Sequence, residues 1–190
     1  MKTEIKSNTS ASLFVLVISI YIIFCTISLF QGNPKIDEYR NHLPVLEGMY
    51  HQGFFNYVLG KDYKAANTPL PYLVPYLISK VLSINPNLYI ARSVNFIFSF
   101  LTVLLFIFLM KKISGRLDWS FLIFLFYPYF IKTSFAFYLA LYGVFFLLLS
   151  IYLLSKETER RILGAGFSSA AGILSQQFIV ALVPAYFLSV

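Results

Sequence analysis

Charge is scarce in this chain. Of its 190 residues only 12% are charged, while 58% are hydrophobic. A soluble domain carries roughly 45–50% apolar and about 25% charged residues. The polar residues are too few to cover a water-facing surface, so an ordinary soluble domain is excluded. Cysteine is almost absent as well. Cys25 stands alone, which excludes an intramolecular disulfide and a cysteine-based metal site. Its place inside an apolar run suits a small filler, since a thiol in lipid is not ionised. The two histidines, His42 and His51, form no His-x₃-His or Glu-x-x-His spacing with their neighbours. The spacing gives a divalent metal no support beyond the presence of histidines and carboxylates, and no cofactor is expected.

What is present is hydrophobic sequence in long runs. A stretch of about 18 or more apolar residues reads as a membrane-spanning helix. Residues 11–30 form the first uncharged run, behind a short polar start carrying Lys2 and Lys6. It exceeds the 7–15 residues or so of a signal-peptide core, and Leu29-Phe30-Gln31-Gly32 is a poor cleavage site. It reads as an uncleaved first span. The spacing predicts further spans at about 88–110, 119–131, 135–154 and 162–190, the last with a break near 176. The expected fold is all-α: a polytopic transmembrane helical protein, one transmembrane domain over 1–190. The apolar run continues to the last residue, Val190, as in the N-terminal part of a larger membrane protein.

Residues 119–154 demand a choice. A single helix of that length would reach about 54 Å, against a hydrocarbon core of about 30 Å. Two helices turning near Lys132 fit better. Such a hairpin puts the basic loops 111–116 and 156–161 on one side, each with three Lys or Arg. Cytoplasmic loops gather Lys and Arg, and the net charge of +7 is read that way, with no nucleic-acid partner. The loop 31–87 then faces away from the cytoplasm, in a bacterial or archaeal plasma membrane or the endoplasmic reticulum.

That loop holds both histidines and half of the eight acidic residues. Within it, Ile36, Tyr39, Leu43, Leu46, Met49 and Tyr50 recur at helical spacing, so an amphipathic helix lying on the membrane surface is expected over 37–59. Residues 68–82, with three prolines, read as a second interfacial helix, and Asn85-Pro86-Asn87 as a turn.

The candidate chemistry lies in the same loop. Asp37 and Glu38 follow the first span directly, where a carboxylate can take a proton from a hydroxyl; a solvated acidic pair has the same sequence. Arg40 and His42 suit phosphate binding or attraction to anionic lipid. Arg92, near the start of the 88–110 span, and Lys132 are charges at membrane depth, both placed for snorkelling to the outer interface. Gln176 and Gln177 interrupt the last run, as a helix–helix hydrogen bond or the floor of a cavity. Gly164, Ser168 and Gly172 form a small-residue stripe on which another helix can pack closely.

The order of these features resembles the N-terminal part of the glycosyltransferase C superfamily, and within it the endoplasmic-reticulum α-1,2-glucosyltransferases of lipid-linked oligosaccharide synthesis. The residues that carry the likeness are Pro34, Asp37 and Glu38 after the first span, the Thr68-Pro69 step, and Arg92 with Asn95. Gly172 to Val180, GILSQQFIV, resembles the family's Arg-Gln step with Ser175 in the arginine's place. Bacterial mannosyl- and aminoarabinosyl-transferring enzymes share the layout. The acidic residue the family carries near the turn of the third and fourth spans is absent; Ser134-Phe135-Ala136-Phe137 stands there. The resemblance implies a polyprenyl- or dolichyl-phosphate-sugar donor and transfer to a glycan or protein acceptor on the non-cytoplasmic face of the bilayer. Asp37 would be the general base, Glu38 its support or an acceptor ligand, and Arg92 a ligand of the donor phosphate. A transporter or flippase subunit, or a scaffold, is the alternative. Transporters place polar residues at mid-membrane, whereas here they cluster in a loop.

Overall fold

The computed structural model describes residues 15–23, 26–27, 37–60, 63, 69–115, 122, 125, 127–134, 136–155 and 159–175. All regular structure among them is helical, with no strand. Helix α1 covers 15–23. A π-helical turn, Glu38–His42, runs straight into α2, Leu43–Gln52. Then follow α3 (Phe54–Leu59), α4 (Leu70–Leu82), α5 (Leu88–Ser114), α6 (Pro128–Ser134), α7 (Ala140–Leu154) and α8 (Glu159–Ser175).

Helix α5 organises the molecule. Its 27 residues contain neither Pro nor Gly, and it is long and apolar enough to cross a membrane. Asn87 starts it, its side chain accepting a bond from the Ile90 N–H at 3.0 Å, the usual device for an unpaired first-turn donor. Gly115, at φ +70°, ends it, a backbone conformation that glycine adopts without penalty. A helix thus covers the expected 88–110 and runs on through Lys111 and Lys112 to Ser114.

The other expected spans are shorter among the described residues. Helix α7 has 15 residues, about 22 Å at 1.5 Å per residue; α4, expected as an interfacial helix, has 13. Of the first run, 15–23 and 26–27 are helical. Of the last, the helix is described as far as Ser175; Gln176, Gln177 and the break near 176 lie outside the described residues, as does Cys25.

Two clusters of buried side chains line α5. Near its start, Ala91 and Val94 pack with Leu46, Met49, Tyr72, Phe137 and Tyr142. Further along, Val103 and Ile107 pack with Ile18, Tyr21, Leu125, Phe130 and Leu141. Chain direction is fixed by hydrogen bonds. Asn95 reaches the carbonyls of Thr133 and Ala136, just ahead of α7. At the other end, Lys112 Nζ donates to the carbonyl and the hydroxyl of Ser155, just past α7. Helices α5 and α7 therefore run side by side in one direction, and the 111–115 and 155 segments share one end. Helix α8 returns antiparallel to α7: Ser150 Oγ meets Ala165 O and Ser169 Oγ, while Ser168 Oγ donates to Phe146 O at 2.8 Å. Gly164, close to Leu153, and Ser168 of the expected stripe belong to this contact.

The surface helix expected over 37–59 is reshaped. Gly53, at φ +85°, divides it into α2 and α3. Its buried side is Val45, Leu46 and Met49, whereas Tyr39 is 64% exposed. The shift has a local cause. Leu43 N–H donates five residues back, to Glu38 O, and Pro44, which has no N–H to donate, follows at once. The widened turn rotates the apolar stripe away from the spacing that a uniform helix predicts, and α2 packs its apolar side on α4 and Phe137.

Candidate functional site

Asp37 and Glu38 are adjacent in sequence and opposite in environment. Glu38 is 1% exposed. Its Oε1 accepts from Arg92 Nε at 2.9 Å and its Oε2 from Arg92 Nη2 at 2.7 Å. The backbone N–H of Phe137 adds a third bond to Oε1, at 2.7 Å. This is a bidentate guanidinium–carboxylate fork, the geometry that makes arginine specific for carboxylates. Arg92 is itself buried, at 4% exposure. Snorkelling to the interface, expected for Arg92, does not occur, because a buried partner meets the guanidinium inside the fold. The fork uses its Nε–H and one Nη2 N–H. Glu38, expected as a wet support for Asp37, ties the loop to α5 and to the 136–139 turn.

Asn95 completes the clamp. It lies three residues after Arg92 on the same face of α5, and its Nδ2 donates to Thr133 O and Ala136 O, each at 2.6 Å. Arg92 and Asn95 thus hold Glu38, the end of α6 and the 136–139 turn together. Around them Tyr21, Ser99 and Ser134 share hydroxyl bonds of 2.6–2.9 Å, linking α1 to α5 and α6.

Asp37 faces outward, with 48% of its side chain exposed. Its Oδ1 accepts from Asn41 Nδ2 at 2.6 Å. Its Oδ2 lies 3.4 Å from His42 Nε2. The other ring nitrogen of His42, Nδ1, is 2.7 Å from Tyr72 Oη. A half-exposed carboxylate, a buried imidazole and a buried phenol therefore form one line. The π-turn makes this possible: residues three and four apart face each other on a regular α-helix, and the wider turn brings residues five apart together. The rings of Tyr72 and Phe137 close over the imidazole, with centroids 5.9 and 5.6 Å away. Burial pushes the His42 imidazole below its ordinary value, against the upward pull of Asp37 and, more weakly, Glu38. Burial also raises the Tyr72 phenol, so it stays protonated, and the imidazole tautomer sets which of the two groups donates.

Arg40 is exposed on the same turn. Gln176 lies outside the described residues. The structure thus gathers Asp37, Glu38, His42 and Arg92, with Arg40 on the outer side. Reasoning from sequence missed Tyr72 and the Phe137 N–H, which carry no pattern. It quoted Asn95 without a role, although its three-residue spacing from Arg92 places the two on one face.

No family model, no curated protein and no solved structure matches this chain.

Proposed function

We propose that this chain belongs to a multi-pass membrane glycosyltransferase that moves a sugar from a polyprenyl- or dolichyl-phosphate donor to an acceptor hydroxyl on the non-cytoplasmic face. The observation that carries the reading is the outward-facing Asp37 carboxylate, fixed beside the start of a membrane-length helix by a clamp that uses Glu38 and Arg92. In this reading the shared end of α5 and α7, with Lys111 and Lys112, is cytoplasmic, in keeping with the positive-inside rule. The site then sits at the opposite surface, where a lipid-borne phosphate and a water-borne acceptor meet.

The chemistry assigned to the residues is as follows. The acceptor hydroxyl oxygen attacks the anomeric carbon of the donor as Asp37 takes its proton. The bond from that carbon to the phosphate oxygen breaks, and polyprenyl phosphate leaves. Arg40, exposed one turn away, is the cation assigned to the phosphate, since Arg92 is committed to Glu38. Fixed charge at a leaving group of this kind supplies much of a transferase's rate.

The test is transfer from radiolabelled polyprenyl-phosphate glucose and mannose in purified membranes. Asp37→Asn keeps the shape and removes the base, and the expected loss is about 10²–10⁴-fold in rate. Undiminished transfer by Asp37→Asn removes the assignment.

A further inference from the structure

The line from Asp37 through His42 to Tyr72 is more than packing requires. A buried imidazole needs a partner for each ring nitrogen, and any carbonyl or water would serve. Here one nitrogen faces the only half-exposed carboxylate of the turn, and the other meets a phenol from α4. We propose that His42 is a positioning residue for Asp37, with its tautomer set by Tyr72. The inference rests on Asp37 being the base of the reaction.

The arrangement works as follows. Tyr72 Oη donates to His42 Nδ1, so the neutral ring carries its proton on Nε2. That N–H points at Asp37 Oδ2. The 3.4 Å separation is longer than a strong hydrogen bond, and such contacts often tighten only when substrate is bound. Asn41 holds the other carboxylate oxygen. With one bond to each oxygen, the carboxylate plane is fixed and one face is left to the acceptor hydroxyl. The same division, in which one imidazole nitrogen is anchored and the other does the work, sets tautomers in hydrolase triads.

Among the described residues, Asp37 and Glu38 are the carboxylates that act on His42, and Glu38 is paired with Arg92 from α5. Tyr72 comes from α4, and the 136–139 turn brings only the uncharged ring of Phe137. Protonation of His42 would place a cation beside Asp37 and lower its basicity. Transfer therefore declines on the acid side as His42 takes up its proton.

The chain has two histidines, which makes the measurement direct. The full 190-residue chain, labelled with ¹⁵N at the imidazole nitrogens, is placed in phospholipid nanodiscs and titrated by NMR. His51 is exposed and is the internal reference. The neutral His42 ring is expected in the Nε2–H form, and Tyr72→Phe should mix in the other tautomer. Asp37→Asn removes an interaction that raises the His42 midpoint, so that midpoint should move further down. A His42 tautomer and midpoint unchanged in both variants would overturn the proposal. His42→Gln, assayed for transfer, should lose more in kcat than it changes in KM, and its acid limb should flatten. Loss of the Asp37–His42 coupling in the spectrum, with the rate still dependent on Asp37, would reject the positioning role alone. Transfer independent of Asp37 would reject the base itself.

Discussion

The molecule is held together in two different ways at its two ends. At the site end, α5 meets the 37–59 segment, the end of α6 and the 136–139 turn through a buried ion pair, a carboxamide and a backbone N–H. At the far side of α7, contact with α8 is made by serine hydroxyls and small residues. The first arrangement is expensive to assemble and intolerant of loss. Two charges out of water must satisfy each other completely, and removing one leaves the other stranded. The second is built from many small terms, each of which the neighbouring backbone partly replaces. The difference shows where the fold needs a fixed geometry and where it needs only close contact.

Three changes sharpen this contrast, in decreasing order of effect. Arg92→Met strands the buried Glu38 carboxylate and should destabilise the fold by about 3–5 kcal/mol. Pairing it with Glu38→Leu should recover much of that loss. Thermal unfolding of the solubilised chain reads both, and a double variant as damaged as the single one would show that the pair acts through something other than charge. Gly48→Ala comes next. A Cβ there would overlap the edge of the Tyr57 ring, which is buried between α2 and α3. Overpacking of this kind costs about 1–3 kcal/mol, visible as a lowered midpoint in the same assay. Ser150→Ala, which removes the hydroxyl between Ala165 and Ser169, should have the smallest effect, near 0.6 kcal/mol. A loss from Ser150→Ala as large as that from Arg92→Met would erase the distinction between the two ends.

Much of the helical layout is legible in the sequence, and the reasons are local. Helix α5 follows from an apolar run without Pro or Gly, opened by Asn87 and closed by Gly115. The small-residue stripe of α8 is equally plain, since Gly164, Ser168 and Gly172 recur every four residues. The 37–59 segment was harder. Its helical spacing is visible, but the π-turn before Pro44 shifts which side chains are buried, so Tyr39 points out while Val45 points in. The clamp was not legible. Glu38 and Arg92 lie 54 positions apart, and each alone has an ordinary surface explanation. Only the fold shows that they answer each other. The same holds for His42 and Tyr72, where a backbone irregularity, not a motif, decides the partner.

The central claim is that two neighbouring carboxylates have separate tasks, Asp37 facing the reaction and Glu38 holding the site together. Side-by-side thermal unfolding of Asp37→Asn and Glu38→Gln tests it without any substrate. Asp37 is half exposed, and a substitution at such a surface position usually stays within about 0.5 kcal/mol, so Asp37→Asn should melt close to the unaltered chain. Glu38→Gln leaves Arg92 buried without its counter-charge and should lose about 3–5 kcal/mol. Equal losses from the two variants, or a larger one from Asp37→Asn, would contradict the division.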